Sequence, residues 1–205
     1  KYISNFMDGM ANGPRGAEGA ANVGVIVANP KNGEILAMAT DNPYDLNNPR
    51  DLTPYYSQDE INGMDNATML ENLYGIWKNY CISDAFEPGS TVKPLTIGSA
   101  LDADVVQPSD TFVCDGYQMF GGTRIRCSIY PGAHGTETLS DLIKHSCNDG
   151  LMQIGALLGP EEFLKYQKIF NFGATTGIDL PGEATGILHT EESLSSGSTE
   201  LASAS

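Results

Sequence analysis

The stretch from Phe86 to Leu101 constrains the fold of this chain more than any other. Pro88 and Gly89 end whatever structure precedes them, and a helix is expected to begin at Ser90. This predicted helix runs to about Leu101 and has almost no polar face, a pattern that is typical of a helix buried between other layers. The sequence therefore predicts a fold in which further elements pack around this helix.

The same helix carries a serine and a lysine three residues apart, Ser90 and Lys93. At this spacing both side chains project from one helix face. A serine hydroxyl is a poor nucleophile until a base takes its proton, and a lysine can be that base when burial lowers its pKa. Unpaired N–H groups at a helix N-terminus can also stabilise an oxyanion. The pair could act in nucleophilic catalysis, although Ser-x-x-Lys alone is common on exposed helices.

A second motif makes the first one specific. Ser146 and Asn148 form a Ser-x-Asn, and serine enzymes that act on or recognise β-lactams combine Ser-x-x-Lys, Ser-x-Asn and Lys-Thr-Gly. With two of these elements in order, the chain resembles the transpeptidase domain of the penicillin-binding proteins, closest to the class B, high-molecular-weight type. Val23 to Thr40 is similar to the family's opening strand pair. The segment Gly177 to Glu183 is similar to one that follows the Ser-x-Asn helix.

The third element is missing, since no Lys-Thr-Gly or Lys-Ser-Gly occurs in the 205 residues. In the family it lies on a strand that lines the cleft and helps to build the oxyanion hole. We therefore expect residues 1–205 to be the N-terminal and central part of a single transpeptidase domain, a fragment that lacks the Lys-Thr-Gly element. Residues 191–205 are predicted to form a polar, Ser-rich tail.

The resemblance implies an α/β fold of the α+β type, in which an antiparallel sheet is flanked by helices, incomplete at the C-terminus. Local patterns agree with this class. Asn32 and Gly33 between two apolar runs predict an antiparallel hairpin. Apolar spacing and breaker residues predict helices over Lys1 to Met10, Ala67 to Tyr80, Leu139 to Ile143, Leu151 to Gly159 and Pro160 to Gly173. In the second of these helices, the residues predicted to face inward are Leu70, Leu73, Tyr74 and Trp77. Residues 41–65 are predicted to form a surface loop.

Charge and hydropathy restrict the partners. The net charge of −15 argues against nucleic acid as a partner, because phosphates require a basic surface. No apolar run approaches the roughly 18 residues of a membrane span. Family members of this class carry an N-terminal membrane anchor, which is absent from this sequence. The resemblance therefore implies the extracytoplasmic face of the bacterial cell membrane.

The resemblance also implies a mechanism without a catalytic cofactor. Ser90 attacks the penultimate D-alanine carbonyl of a peptidoglycan stem peptide, Lys93 accepts the proton, Ser146 relays it to the departing D-alanine, and Asn148 fixes the orientation. An amine of a neighbouring stem resolves the acyl-enzyme, and β-lactams acylate the same serine. The alternatives are a β-lactam sensor, a β-lactamase-like hydrolase, or a catalytically incompetent structural fragment. The missing C-terminal part of the domain is a further expected partner.

Four cysteines are unusual for an exported bacterial domain. Cys114 and Cys127 enclose a glycine-containing loop, with His134 following and Asp115 adjacent. This spacing predicts a structural Zn²⁺ site of Cys114, Cys127 and His134, completed by Asp115 or another acid. A Cys114–Cys127 disulfide and free thiols are the alternatives. Cys147, at the middle position of Ser-x-Asn, is predicted to be a buried packing residue.

Overall fold

The computed structural model describes residues 22–194 and Leu201. The predicted helix over Lys1 to Met10 therefore lies outside the described residues, as does most of the predicted tail. Among the described residues, helices are interspersed with antiparallel strands, which agrees with the predicted α+β class. In this part of the chain, no helix combines the length and the apolar character that crossing a membrane requires.

The chain forms two compact units. The first contains the described residues up to Asp84 together with Ile178–Ala184. The second contains Ala85–Gly177 and the described residues from Thr185 onward. All the residues predicted to carry chemistry belong to the second unit, which alone positions the candidate site.

The first unit begins with the predicted hairpin. Strands β1 (Gly24–Ala28) and β2 (Ile35–Thr40) pair antiparallel, and Gly24 lies opposite Thr40. Gly33 has a φ of +75°, and its N–H donates to the Asn29 carbonyl at 2.8 Å, which closes the turn. The Asn-Gly pair therefore reverses the chain as expected, because glycine adopts this conformation without steric cost.

Three helices follow: α1 (Gln58–Gly63), α2 (Asn66–Trp77) and α3 (Tyr80–Ser83). The prediction of a loop over residues 41–65 is wrong at α1. A capping box starts this helix, in which Ser57 Oγ accepts from the Glu60 N–H and the Glu60 carboxylate accepts from the Ser57 N–H. The Ser-x-x-Glu signature is present in the sequence but lacks the apolar run that normally follows it.

The inward face of α2 is only partly the one predicted. Leu73 and Ile76 are buried and pack with Leu52, whereas Leu70 and Tyr74 are 38% and 63% exposed. Two of the predicted inward residues are therefore surface residues.

The second unit carries the remaining elements. Thr111–Cys114 pairs antiparallel with Gly135–Thr138, and Tyr117–Phe120 pairs with Thr123–Arg126. In chain order the elements are a 3₁₀ turn (Gly89–Val92), α4 (Lys93–Asp102), β3 (Thr111–Cys114), β4 (Tyr117–Phe120), β5 (Thr123–Arg126), β6 (Gly135–Thr138), α5 (Leu139–Lys144) and α6 (Asn148–Ile169). The described strands therefore form three two-stranded antiparallel sheets, counting the hairpin of the first unit.

Helix α6 consists of two helical segments. Gly159 interrupts it with φ +73° and ψ 165°, and Pro160 starts the second segment. Proline suits the first turn of a helix because its missing N–H would have no intrahelical acceptor there. The predicted break at this point is confirmed, but the second segment ends at Ile169 rather than at Gly173.

The core of the second unit lies where α4, α5 and α6 meet β3. Ile97, Ala100, Leu142, Leu151 and Ile154 are at most 7% exposed and form one apolar cluster. Burying an aliphatic side chain of this size stabilises the fold by about 1.5–3 kcal/mol. Helix α4 is therefore buried over a wide face, as its apolar composition predicts, but Pro94, Gly98 and Asp102 form an exposed stripe on its other side.

Candidate active site

Lys93 is the centre of the candidate site. It is the first residue of α4 and is only 6% exposed. Its Nζ donates to the Ser146 carbonyl at 2.8 Å, to Ser146 Oγ at 3.1 Å and to Asn148 Oδ1 at 2.5 Å. The two motifs, about fifty residues apart in sequence, thus converge through one buried amine.

Burial makes the charged form of Lys93 less favourable than it is in water. Burial lowers the pKa of the Lys93 ammonium from its ordinary value, and the negative charge of Cys127 and Cys147, when ionised, opposes this shift. The three acceptors that bind Nζ are uncharged, so they satisfy the hydrogen-bonding capacity of the amine without an ion pair. A buried lysine of this kind can serve as a base.

Ser90 lies in the 3₁₀ turn directly before α4. Its carbonyl accepts the Lys93 N–H, and its side chain is exposed. Among the described residues the Ser90 hydroxyl has no hydrogen-bond partner. Gly89 has a φ of +58°, a conformation that glycine adopts readily and that sets the direction of the chain into the turn. The structure thus places Ser90 at solvent, one turn before Lys93.

Ser146 adopts a strained backbone conformation. Helix α5 ends at Lys144, and Ser146 then has a φ of +50°. This left-handed conformation costs a non-glycine residue about 1–2 kcal/mol. It also allows both the carbonyl and the hydroxyl of Ser146 to bind the same Nζ of Lys93. The strain therefore occurs at a residue with two contacts to the candidate base.

Asn148 is fixed from two sides. It is the first residue of α6; its Oδ1 accepts from Lys93, and its Nδ2 donates to the Arg126 carbonyl at the end of β5. The amide thus has one donor and one acceptor in place, which defines its orientation. The structure brings Lys93, Ser146 and Asn148 together.

Three cysteine sulfurs and one histidine nitrogen lie close together beside this site. Cys114, Cys127, His134 and Cys147 each offer one atom, and these atoms all lie within 4.8 Å of one another. His134 Nδ1 is 3.5 Å from the Cys114 sulfur and 3.6 Å from the Cys127 sulfur, and the Cys127 and Cys147 sulfurs are 3.8 Å apart. The four cysteines of the chain are free in the structure. This cluster could hold a metal ion.

The cluster differs from the predicted ligand set at one position. Asp115 is exposed and does not belong to it, whereas the preceding Cys114 is buried. Adjacent residues of extended chain point to opposite sides, so both seldom reach one ion. Cys147 occupies the fourth place instead. The prediction that Cys147 is a buried packing residue agrees with its 0% exposure in the apolar core, but it did not anticipate that its sulfur also faces the other three ligands.

The three cluster thiols have different environments. Burial favours the neutral form of Cys127, but backbone N–H groups of Asp149, Ile129 and Asn148 point at its sulfur and bring its pKa down to about 6. Burial raises the pKa of Cys147 well above its ordinary range, and that of Cys114 is raised for the same reason. Of the three thiols, Cys127 is thus the one whose ionisation the surroundings favour, and it lies at the N-terminus of α6.

Two buried carboxylates near the site were not anticipated. Glu137 is 2% exposed; its Oε1 lies 2.7 Å from His145 Nδ1, and its Oε2 is 3.6 Å from His134 Nδ1. Asp149 is wholly buried and accepts four hydrogen bonds. Isolated acidic residues carry no pattern in the sequence that distinguishes a buried carboxylate from an exposed one.

The architecture and the site have counterparts in known proteins. Residues 23–204 match the family model described as the penicillin binding protein transpeptidase domain. This chain belongs to the penicillin-binding protein transpeptidase family. The match includes both motifs that meet at Lys93, and the resemblance predicted from them is confirmed.

Curated members of the transpeptidase family are similar over most of the chain. Stage V sporulation protein D of Bacillus subtilis (strain 168) is 38% identical over 164 residues, which cover 80% of this chain and 22% of that protein. The probable peptidoglycan D,D-transpeptidase PenA of Neisseria flavescens is 29% identical over 164 residues, 80% of this chain and 35% of that protein. The chain thus spans between 22% and 35% of the length of these relatives.

Solved structures show the same transpeptidase fold. Penicillin binding protein 3 of Mycobacterium tuberculosis, in its apo form, matches 98% of this chain and 39% of its own with a TM-score of 0.69 at 24% identity. The transpeptidase domain of penicillin-binding protein 3 of Burkholderia pseudomallei, also apo, matches 62% of this chain and 37% of its own with a TM-score of 0.55 at 30% identity. The predicted fold class is confirmed by these matches.

Proposed function

We propose that this chain provides the nucleophile, the base and the Ser-x-Asn motif of a peptidoglycan D,D-transpeptidase that works through a serine acyl-enzyme and is acylated by β-lactams. The observation that carries the proposal is the binding of the buried Lys93 amine to both Ser146 and Asn148. Relatives that share most of this chain are named as peptidoglycan D,D-transpeptidases, which supports the same substrate class.

In the proposed acylation step, the Ser90 hydroxyl attacks the carbonyl carbon of the penultimate D-alanine and its proton passes to neutral Lys93. The new bond joins Ser90 Oγ to that carbon, and the bond to the terminal D-alanine breaks. The departing amine takes a proton from Lys93 through the Ser146 hydroxyl, which lies 3.1 Å from Nζ and can both accept and donate. An amine of a second stem peptide then takes the acyl group.

Asn148 supports this step by orientation. Its Oδ1 accepts a hydrogen bond from Lys93 Nζ at 2.5 Å. This bond holds the amine where it also contacts the Ser146 hydroxyl. The backbone N–H of Ser90 supplies one donor to the oxyanion. A Lys-Thr-Gly strand, which these 205 residues do not contain, would supply the other. We accordingly propose the rest of the transpeptidase domain as a required partner of this chain.

The location of the proposed substrate indicates on which side of the membrane the active site lies. Peptidoglycan stem peptides are cross-linked outside the cytoplasmic membrane, so we propose that the site faces the extracytoplasmic side. An N-terminal anchor outside this sequence would hold it at the membrane. The net charge of −15 argues against a nucleic-acid partner, because phosphates require a basic surface.

Reaction with a fluorescent penicillin tests the proposed function and separates its alternatives. The intact protein is incubated with the probe and the bound label is followed over time. Stable labelling that unlabelled penicillin blocks supports a transpeptidase, and D-alanine release from a stem-peptide donor distinguishes it from a sensor. Rapid turnover of the probe would indicate a β-lactamase, and no labelling would indicate a catalytically incompetent protein.

We further propose that Cys114, Cys127, His134 and Cys147 bind one structural Zn²⁺. A tetrahedral ion with Zn–S bonds of about 2.3 Å and a Zn–N bond of about 2.05 Å places two sulfurs about 3.8 Å apart, and a sulfur and a nitrogen about 3.6 Å apart. In the structure, the Cys127 and Cys147 sulfurs are 3.8 Å apart, and His134 Nδ1 lies 3.5 Å from the Cys114 sulfur and 3.6 Å from the Cys127 sulfur. These three separations are compatible with a tetrahedral ion, and the gathering of three buried thiols around one imidazole supports the proposal.

The proposed ion would have a structural role. Four protein ligands close its coordination shell and leave no position for substrate. Cys114 and Cys127 flank the β4–β5 hairpin, while Cys147 lies between the two catalytic residues of the Ser-x-Asn motif. The ion would therefore fix that motif against the hairpin.

A further inference from the structure

Asp149 is a fully buried carboxylate that the proposed reaction does not use. It follows Asn148 in the first turn of α6 and is 0% exposed. Its Oδ2 accepts from the backbone N–H groups of Asp115 at 2.8 Å and Gly116 at 3.1 Å. Its Oδ1 accepts from Gln118 Nε2 at 2.6 Å and Gln153 Nε2 at 2.8 Å. Among the described residues, no cation forms a salt bridge with it.

Such an arrangement is costly to build. A buried carboxylate loses its hydration and is tolerated only where hydrogen bonds replace it. Here four donors converge on two oxygens, and the N-terminal end of α6 adds the favourable field of its helix dipole. An exposed acid at the same position could cap the helix without losing its hydration. The burial of Asp149 therefore calls for a role other than capping.

The four hydrogen bonds join the start of α6 to the hairpin that faces it. Asp115 and Gly116 form the turn between β3 and β4, and Gln118 lies on β4. This turn requires glycine at its second position, because Gly116 has a φ of +92° and a Cβ there would overlap the Gly132 carbonyl. Asp149 is thus bonded to a closely packed turn of the backbone.

The same turn of α6 carries the partner of the candidate base. Asn148 Oδ1 is 2.5 Å from Lys93 Nζ, and Asn148 Nδ2 reaches the Arg126 carbonyl of β5 at 3.2 Å. Because Asn148 and Asp149 share one helical turn, a shift of that turn relative to the hairpin moves the Asn148 amide away from Lys93. The position of Asn148 therefore depends on the bonds that Asp149 makes.

We propose that Asp149 is a positioning residue of the acyl-transfer site: its buried carboxylate holds the first turn of α6 against the β3–β4 turn and thereby keeps Asn148 Oδ1 within hydrogen-bonding distance of Lys93. The inference rests on the proposed function. It assigns Asp149 no contact with substrate, and its effect passes through Asn148. The cysteine–histidine cluster is a separate connection between the same elements, since none of its four ligands is bonded by the Asp149 carboxylate.

The substitution Asp149→Asn tests this with little change in shape. One oxygen becomes an NH₂ group, which faces either two backbone donors or two glutamine amides. The glutamines can reverse their amides, but Gln153 would then lose its bond to the Val113 carbonyl at 2.8 Å. At least one hydrogen bond is lost in each arrangement, and the turn of α6 is held less firmly.

The measurement is the kinetics of acylation by a chromogenic cephalosporin, resolved into the first-order acylation rate constant and the dissociation constant of the non-covalent complex. A displacement of about 1 Å can reduce a rate about 10²-fold. We expect Asp149→Asn to reduce the acylation rate constant by up to that factor, with the dissociation constant changed by less than about twofold. Glu161→Gln, which removes an exposed acid from the second segment of α6, is the matched control and should leave both constants unchanged.

A double substitution separates positioning from a general structural role. If Asp149 acts through Asn148, then Asp149→Asn combined with Asn148→Ala should acylate no more slowly than Asn148→Ala alone. The inference would be overturned if the two reductions in acylation rate were additive, if Asp149→Asn acylated at the wild-type rate, or if the unfolded fraction explained the reduction.

If Asp149→Asn does not fold, Gln118→Met replaces it, because this substitution removes one donor to Oδ1. Gln118→Met must then reduce the acylation rate constant by a smaller factor, and it must not reduce it further in the Asn148→Ala background. Wild-type protein that is not acylated at all would instead overturn the proposed function and, with it, this inference.

Discussion

The amine of Lys93 and the side-chain oxygen of Asn148 are 2.5 Å apart, although 55 residues separate them in the sequence. This bond joins the Ser-x-x-Lys helix to the Ser-x-Asn helix. It also places a buried amine among neutral acceptors, where its charge is disfavoured.

Replacing Lys93 by arginine should abolish acylation by penicillin. A guanidinium stays protonated at any accessible pH and cannot accept the Ser90 proton, even though it retains the charge. The expected loss is at least the 10²–10⁴-fold that a general base contributes. Stopped-flow measurement of acylation checks this, with Lys168→Arg on an exposed face of α6 as the control. Near-normal acylation of the Lys93→Arg protein would exclude Lys93 as the base.

Acylation should accelerate as pH rises, because only the neutral amine of Lys93 accepts a proton. Burial lowers the pKa of Lys93 below its ordinary value of 10.5, so the midpoint of the rise should lie below that value. Since the unfolded state binds this proton more tightly, stability should also rise with pH between the folded and unfolded pKa values. A pH–rate profile, recorded where the melting temperature shows folded protein, checks the rise; a flat profile contradicts the assignment.

Purified protein should contain about one zinc per chain. Cys147→Ser should lose it, whereas Asp115→Asn and Cys81→Ser should retain it, because neither Asp115 nor Cys81 belongs to the cluster. Elemental analysis of protein prepared without added metal, with thiol counting after denaturation, makes the measurement. Absence of zinc together with two fewer titratable thiols would establish a disulfide. Absence of zinc with all four thiols titrating would establish free cysteines.

These 205 residues alone should react poorly with β-lactams. In the proposed mechanism the second oxyanion donor would come from a Lys-Thr-Gly strand, which these 205 residues do not contain. Losing one such donor costs about 3–4 kcal/mol of transition-state stabilisation, or roughly two to three decades in rate. The acylation rate of the isolated chain, compared with that of a protein carrying the whole domain, checks this. Equal rates would show that the strand is not needed for acylation.

Gly150→Ala should destabilise the second unit. A Cβ at this position in α6 would overlap the Leu142 side chain of α5, which is itself fully buried. Overpacking of this kind costs about 1–3 kcal/mol. Gly98→Ala is the matched control, because a Cβ there meets open space and alanine favours helix by about 0.5–1 kcal/mol. Urea unfolding should show a lower midpoint for the first variant and a raised one for the second; equal midpoints would refute the packing argument.

The sequence predicts which residues form the candidate site better than it predicts their conformations. Ser90, Lys93, Ser146 and Asn148 are recognised from two short motifs, because the chemistry restricts both residue types and spacing. The left-handed backbone of Ser146 is not recognisable in this way, since a serine at φ +50° looks like any other serine in a sequence. Its conformation depends on tertiary bonds to Lys93.

The cysteine cluster shows a similar limit. Cys114, Cys127 and His134 are close enough in sequence for spacing to suggest a site. Cys147 lies on another element, and only the packing of α6 on the hairpin brings it to the other three. Asp149 is still less predictable, because its burial depends on donors from several elements. Two helix predictions were wrong: α1 was missed, and the end of α6 was placed too late in the chain. Both depend on local capping and packing, which apolar periodicity does not report.

Locating the penicillin adduct is the most direct test of the central claim, that Ser90 is the nucleophile served by the buried Lys93. The intact protein is reacted with penicillin, and its mass and that of its peptides are measured. We expect one added penicilloyl group, on the peptide that contains Ser90, and no addition to the Ser90→Ala variant. A covalent adduct on Ser90→Ala, or an adduct on a different serine of the wild-type protein, would contradict it.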